Sequence, residues 1–251
     1  MLRSMLTTDR KQIVAVNPQP VTRMMRLQKF LSSAGFCSRR KAEEHIKDGH
    51  IKVNGEVVSA LGTKIDPETD SVKVNGKPVE AKHDLVYIAL NKPGGYVASC
   101  SQKGDRIVLD LINIQARIYP VGRLDKDSIG LLLLTNDGGL HHRLSHPSFD
   151  HEKEYEVTVF KPISDGALQK MAKGMPMMGT KTRPADVKRI SSRVFYIILK
   201  EGKNKQIRRM VRKMGNNVVR LKRIRISNIK LGNLAEGSWR YLTKEEKQEL
   251  L

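Results

Sequence analysis

The sequence predicts an α+β protein built from a small N-terminal domain and a larger C-terminal one. Two amphipathic helical segments near the N-terminus are followed by two short alternating runs, each turning on Val-Asn-Gly. The longer C-terminal region carries several runs of β-branched and aromatic residues with two helical patterns among them. These elements lack the regular strand-helix-strand alternation of a doubly wound sheet. No GxGxxG or Walker sequence opens a helix, which argues against a nucleotide-dependent enzyme.

Residues 1–23 come first. They are basic, with Asp9 as their one acid, and Pro18 and Pro20 read as linker, so a disordered basic tail is expected in preference to a targeting segment. Residues 24–84 form the small domain. Leu27, Phe30, Leu31 and Ala34 fall at i, i+3, i+4 and i+7, one face of a helix that Gly35 ends. Ser38 is placed to cap a second helix, SRRKAEEHIKDG, which buries Ala42 and Ile46 and stops at Gly49. IKVNGEVV and SVKVNGKPV then read as hairpins, because Asn and Gly both tolerate the positive φ of a two-residue turn. In the larger domain, residues 85–251, strands are expected at LVYIAL, KEYEVTVF, VFYIILK and after Val218. Helices are expected at ISDGALQKMAKG and NKQIRRMVRKMG.

The 251 residues carry 46 Lys plus Arg against 26 Asp plus Glu, a formal charge of +20, which calls for a polyanionic partner. A membrane is not that partner by way of a spanning helix, since no stretch approaches the roughly 20 consecutive apolar residues one needs. With six Tyr, five Phe and one Trp the chain is poor in rings for coating single strands by stacking. Cys37 and Cys100 show neither CxxC nor CxxH spacing, so neither zinc nor a disulfide framework is suggested and a reduced, cytoplasmic protein is expected.

Three segments could carry chemistry. Arg39, Arg40 and Lys41 occupy the first turn of the second helix, where the dipole favours an anion; they would make a phosphate-binding corner or serve as solvated charges. Between Lys203 and Arg225 stand ten basic residues and no acid. Ile207, Met210, Val211 and Met214 form an apolar stripe within that block, so it reads as a folded basic surface suited to phosphates. In YPVGRLDKDSIGLLLLTNDG, the polar cluster Arg123 to Ser128 forms a loop before the buried-looking run Ile129 to Thr135. A carboxylate in such a loop is positioned to act as nucleophile or base beside an arginine that keeps it ionised. The alternative is a turn whose aspartates cap backbone amides.

The succession of helix, basic-start helix and Val-Asn-Gly hairpin resembles the S4 RNA-binding domain, and LQKFLSSAGFCSRRKAEEHIKDGHIKVNGEVV matches its pattern throughout. YPVGRLDKDSIGLLLLTNDG is similar to the GRLD signature of the RsuA-like branch of RNA pseudouridine synthases. Three further motifs of that family agree in the expected order: NKPGG at Asn91 to Gly95 ahead of it, and after it the Lys-x-Tyr of HEKEYEVTV at His151 to Val159 and EGKNKQIRRM at Glu201 to Met210. The resemblance implies a mostly antiparallel mixed sheet with a central active-site cleft. Carried over by position, it makes Asp125 the nucleophile and Tyr155 the ring that stacks on a flipped uracil and assists proton abstraction. Arg208 becomes the partner of the aspartate. Arg123 would reach phosphates or hold the flipped nucleotide. With Arg39, Arg40 and Lys41, the RNA-binding set is Lys92, Arg123, Lys153, Lys203, Lys205, Arg209 and Arg212.

Isomerisation of uridine needs no metal or organic cofactor, so none is expected. Among family members the runs GRLDKDS-x-GL and DHEKEY-x-VTV-x-KPI point to a 23S ribosomal RNA stem-loop as substrate, with transfer RNA as the alternative and a monomeric enzyme. A non-catalytic RNA-binding assembly factor is the competing reading, and a DNA-binding protein a third; neither requires Asp125, Tyr155 and Arg208 together. His141, His142, His146 and His151 raise a metal site, but without an accompanying CxxC they read as surface or packing residues. Met175, Met177 and Met178 read as a loop packed on apolar surface.

Overall fold

The computed structural model describes residues 24–80, 84–145, 150–177 and 179–250; the expected basic tail lies outside them, as do His146 and Met178. The chain divides between residues 81 and 82 into two compact units.

The first unit opens with β1 (Met25–Arg26), α1 (Leu27–Ser33) and α2 (Arg39–Lys47). There follow β2 (Ile51–Val53), β3 (Glu56–Val57), β4 (Lys64–Ile65), β5 (Val72–Val74) and β6 (Lys77–Pro78). The helical spacing read in the sequence is realised: Leu27, Phe30 and Leu31 of α1 pack against Ala42 and Ile46 of α2 and against Ile51, Val72 and Val74. The Ser38 hydroxyl accepts the Lys41 amide at 3.2 Å, which caps α2. Strands run β3-β2-β5-β6. Both hairpins turn on Asn-Gly with positive φ, 51° and 91° at Asn54 and Gly55, 47° and 79° at Asn75 and Gly76.

The second unit contains β7 (Tyr87–Lys92), β8 (Tyr119–Pro120), β9 (Ile129–Thr135), α3 (Gly138–Ser145) and β10 (Lys153–Val159). After these come α4 (Asp165–Ala172), β11 (Pro176–Met177), β12 (Thr180–Lys181), β13 (Asp186–Arg189) and β14 (Val194–Leu199). The chain closes with α5 (Gln206–Lys213), β15 (Val218–Ile226), β16 (Ile229–Lys230), β17 (Trp239–Tyr241) and α6 (Lys244–Leu250). Seven strands run in the order β13-β14-β10-β15-β9-β7-β17, with β8 beside β9 and β16 beside β15. Every pairing in this sheet is antiparallel except β15 with β9. The mixed, mostly antiparallel architecture is therefore the one expected.

Burial explains why IGLLLLT lacks a polar alternation. Leu131 and Leu133 of β9 face one cluster with α3 and α6, while Leu132 and Leu134 face another with Val108 and Ile118. A strand covered on both faces reads as a continuous apolar run. On the other half of the sheet, Val157, Phe195 and Ile197 pack under α4 and α5. The stripe of α5 is buried at Ile207, Met210 and Val211, which turns Arg209, Arg212 and Lys213 outward. Met175 and Met177 are buried as packing residues.

Candidate active site

A cleft of about 480 Å³ opens over the middle of the sheet of the second unit. Arg123 and Asp125 reach it from the loop before β9, Lys153 and Tyr155 from β10, and Leu221 and Arg223 from β15. Tyr155 lies directly opposite Arg223 in the antiparallel register, so both side chains leave the sheet on the same face. The parallel pair β15–β9 places Arg223 beside Gly130. At Gly130 φ is 101°, and a side chain there would overlap the Arg223 carbonyl oxygen and lie 2.8 Å from its amide nitrogen. Only glycine lets β9 approach β15 closely enough to set the Asp125 loop at the cleft.

Long-range bonds fix this loop. Lys92, fully buried at the end of β7, donates to the carbonyls of Pro93 at 2.8 Å, Lys126 at 3.1 Å and Ser128 at 2.7 Å. Gly95 donates its amide to Lys126, and the Ser128 amide donates to the Asp125 carbonyl. On the far side, Arg223 Nε donates to Leu131 at 2.7 Å and Nη1 makes a long contact with the Arg123 carbonyl at 3.5 Å. Lys126 turns outward to Asp105 at 2.6 Å.

The geometry corrects two expectations. Lys92 cannot touch RNA, because its ammonium is enclosed and its three protons are spent on carbonyls; it holds the loop. Arg208 does not pair with Asp125. It donates to the Asp127 carbonyl and the Ser128 hydroxyl, each at 3.3 Å, and to the Val218 carbonyl at 3.4 Å. Among the described residues the Asp125 carboxylate takes part in no ion pair within 4.0 Å.

Buried positive charge surrounds the loop. Burial pushes the Lys92 amine down to about 8, against the pull of the Asp127 and Asp125 carboxylates that favour its charged form. Lys153 is also held below the ordinary lysine range, first by burial and then by the Arg223 charge. His151, at the cleft wall, is lowered by burial and by Lys153 and Arg143. The half-buried Asp125 carboxylate at the cleft wall can act as a nucleophile on a ligand there, and the Tyr155 ring offers an aromatic wall for a planar base.

The remaining basic candidates separate into groups. Arg39 and Arg40 are exposed at the start of α2, where Lys41 makes a solvent-exposed pair with Glu44 at 2.7 Å. Lys203 is tied to the Thr180 hydroxyl at 2.7 Å and the Lys181 carbonyl at 2.9 Å. Lys205 is exposed with φ of 50° just ahead of α5. Arg209 is exposed and reaches Asn204 at 3.2 Å, and Arg212 is exposed.

The block from Lys203 to Arg225 is therefore not one basic surface. Arg223 is 2 % exposed, and Arg225 is neutralised by Glu154 at 2.7 Å and Glu152 at 3.0 Å. Sequence reasoning counted Arg223 as one more surface charge. The period-2 pattern of β15, which puts Leu221 and Arg223 on one face, was the signal that could have marked it.

Comparison with known proteins agrees with this geometry. The family model described as RNA pseudouridylate synthase matches residues 86–213, and the S4 domain model matches residues 25–71. A protein named dual-specificity RNA pseudouridine synthase RluF from Shigella flexneri is 45% identical over 225 residues, 88% of this chain and 77% of that protein. Ribosomal large subunit pseudouridine synthase B of Bacillus subtilis (strain 168) is 41% identical over 235 residues, 90% of this chain and 96% of that one. A crystal structure of a pseudouridylate synthase superposes with a TM-score of 0.67 at 31% identity, covering 90% of this chain and all of the other. With an S4 domain preceding a matched catalytic domain in which Asp125 and Tyr155 share one cleft, the chain belongs to the RNA pseudouridine synthase family.

Proposed function

We propose that this protein isomerises uridine to pseudouridine within a stem-loop of 23S ribosomal RNA, acting as a cytoplasmic monomer with Asp125 as nucleophile. The observation that carries the reading is the meeting of Asp125 and Tyr155 in one cleft that the half-buried Lys153 and the buried Arg223 also line. Similarity to a relative named for the large ribosomal subunit supports ribosomal RNA, with transfer RNA as the alternative substrate.

The target uridine is stacked in RNA and must be extruded for its reacting atoms to reach a side chain. Tyr155 recovers part of the lost stacking. Asp125 attacks the extruded nucleotide, the bond between ribose C1′ and uracil N1 breaks, and the ring turns. A bond from C1′ to C5 forms, the bond to the Asp125 carboxylate breaks to free the enzyme, the C5 proton leaves to water and N1 gains one, so no electrons are gained or lost. Tyr155, on the cleft wall, assists the proton step. Arg123, at the mouth of the cleft, and the exposed Lys205, Arg209 and Arg212 hold flanking phosphates, as Arg39, Arg40 and Lys41 do on the S4 domain. Lys153 and Lys203 complete the electrostatic lining.

The test is tritium release from 23S, 16S and transfer RNA transcripts labelled at uracil carbon 5. Wild type is expected to release tritium from 23S RNA, and Asp125→Asn to release none while binding RNA within about threefold, since losing one negative charge does not weaken polyanion binding. Turnover by Asp125→Asn would remove the nucleophile assignment. Silence of the wild type on all three RNAs would favour the non-catalytic binder.

A further inference from the structure

The sequence of the first unit contains two Phe, two His and neither Tyr nor Trp, and the fold treats the two phenylalanines unequally. Phe30 enters the core at 3 % exposure, whereas Phe36, in the turn between α1 and α2, is left 43 % exposed. Its ring meets that of His45 on α2 edge to face, with centroids 5.7 Å apart. The His45 ring in turn meets that of His50, with centroids 5.6 Å apart. The exposed phenylalanine and both histidines of the unit therefore form one row of three rings.

Local bonds hold the row before any ligand arrives. The Nδ1 atoms of His45 and His50 lie 3.3 Å apart, so one ring donates, the other accepts, and each fixes the orientation of its neighbour. His50 donates its amide to the His45 carbonyl at 3.0 Å, and its own carbonyl accepts the Asn75 amide at 2.9 Å. The Phe36 amide donates to the Leu31 carbonyl of α1 at 3.0 Å. Side chains ordered in advance lose less freedom when something stacks on them.

The charges beside the row select its occupant. Arg39 and Arg40 stand exposed in the first turn of the helix that carries His45, and Lys47 is exposed in its last turn. The acids of α2 are already engaged, Glu44 with Lys41 at 2.7 Å and Glu43 with Gln28 at 3.2 Å. An apolar protein surface would bury these guanidinium groups without counter-charge, whereas a nucleotide brings a phosphate for them and a π-face for the rings. Bases of RNA that are free of a duplex stack on Phe and His in this way. The S4 match at residues 25–71 includes all three rings. We propose that Phe36, His45 and His50 form a platform on which the S4 domain stacks an unpaired nucleobase, other than the one entering the cleft, while Arg39 and Arg40 take the adjoining phosphates. This inference rests on RNA being the partner and not on the role of Asp125.

The experiment measures the affinity of the full chain for a 23S RNA transcript and for a fully paired RNA duplex across a salt series, with thermal midpoint and tritium release alongside. The proteins are wild type, Phe36→Leu, Phe36→Ala and Phe36→Tyr. Leucine keeps apolar contacts and loses the ring, whereas tyrosine keeps the ring. Phe36→Leu and Phe36→Ala are expected to bind the transcript about tenfold more weakly and Phe36→Tyr within about twofold of wild type, the pattern of a lost base stack. The salt slope is expected to stay the same in all of them, because no phosphate contact is removed. The duplex, which offers no unpaired base, is expected to bind all four proteins alike.

Should the smaller residues unfold the unit, Phe36→Trp answers the question by fluorescence: read against wild type, whose one tryptophan is Trp239, the added emission is expected to be quenched by the transcript and not by the duplex. Wild-type affinity in Phe36→Leu, a slope that falls with the loss of the ring, equal losses on the duplex, or tryptophan emission that the transcript leaves unchanged overturns the proposal. A wild type that shows the Phe36 pattern on the transcript yet releases no tritium supports the platform and refutes the synthase reading, which keeps the two failures apart.

Discussion

The Nζ of Lys92 lies 2.7 Å from the carbonyl oxygen of Ser128, so the last residue of β7 is bonded directly to the loop that carries Asp125, 36 positions away in the chain. That ammonium has no proton left for a ligand, and its burial is what makes it titrate near neutrality.

Its protonation should therefore be visible in activity. The folded amine titrates at about 8, whereas an unfolded lysine titrates near ~10.4, so between those values the unfolded chain holds the extra proton. The desolvation penalty is fully present below pH 8 and is lost as pH rises through this window. Over the same interval the neutral amine gives up a donor to the loop. NMR of lysine labelled with carbon-13 at Cε should show one resonance with a midpoint near 8, absent in Lys92→Met, and the wild-type single-turnover rate should fall along the same curve. A Lys92 resonance titrating with the surface lysines would refute this assignment.

Gly130→Ala should be among the most damaging small substitutions in the chain. The added methyl collides with backbone of Arg223 and also forces a left-handed conformation on alanine, together costing at least about 3 kcal/mol. Gly237→Ala is the control, having φ of 83° but open space at the added carbon, and should cost only about 1 kcal/mol. Urea denaturation of the two variants measures the difference, and equal midpoints would show that strand proximity is not what requires glycine at 130.

On the S4 domain, replacing Arg39, Arg40 and Lys41 by alanine should weaken RNA binding and flatten its dependence on salt. Each lost phosphate contact removes about 0.9 from the logarithmic slope on a duplex, or about 0.7 on a single strand. Lys41 starts from its exposed pair with Glu44, so its share should be smaller than that of either arginine. Filter binding across a salt series checks this, and an unchanged slope would mean that these side chains meet no phosphate.

Much of the molecule was readable from sequence because the signals are local. The Ser38 cap, the two Asn-Gly turns, the stripes of α1 and α5 and the apolar run of β9 depend on neighbours within a few residues, and each appears where its spacing placed it. Motif order was equally informative about the cleft, since Asp125 and Tyr155 meet there.

The fate of individual charges belongs to another level. Lys92, Arg208, Arg223 and Arg225 are alike as letters in a basic sequence. Pairing of β9 with β15 and of β7 with β9 decides that the first holds a loop, the second bonds to the backbone of that loop, the third is buried under the cleft and the fourth is neutralised by Glu152 and Glu154. Periodicity and turn chemistry are set by adjacent residues, so the sequence by itself determined the elements, the two-part organisation and the motif that carries Asp125. Contacts spanning up to 100 positions set the burial and partners of these cations, and the long-range ones exist only once the sheet has closed.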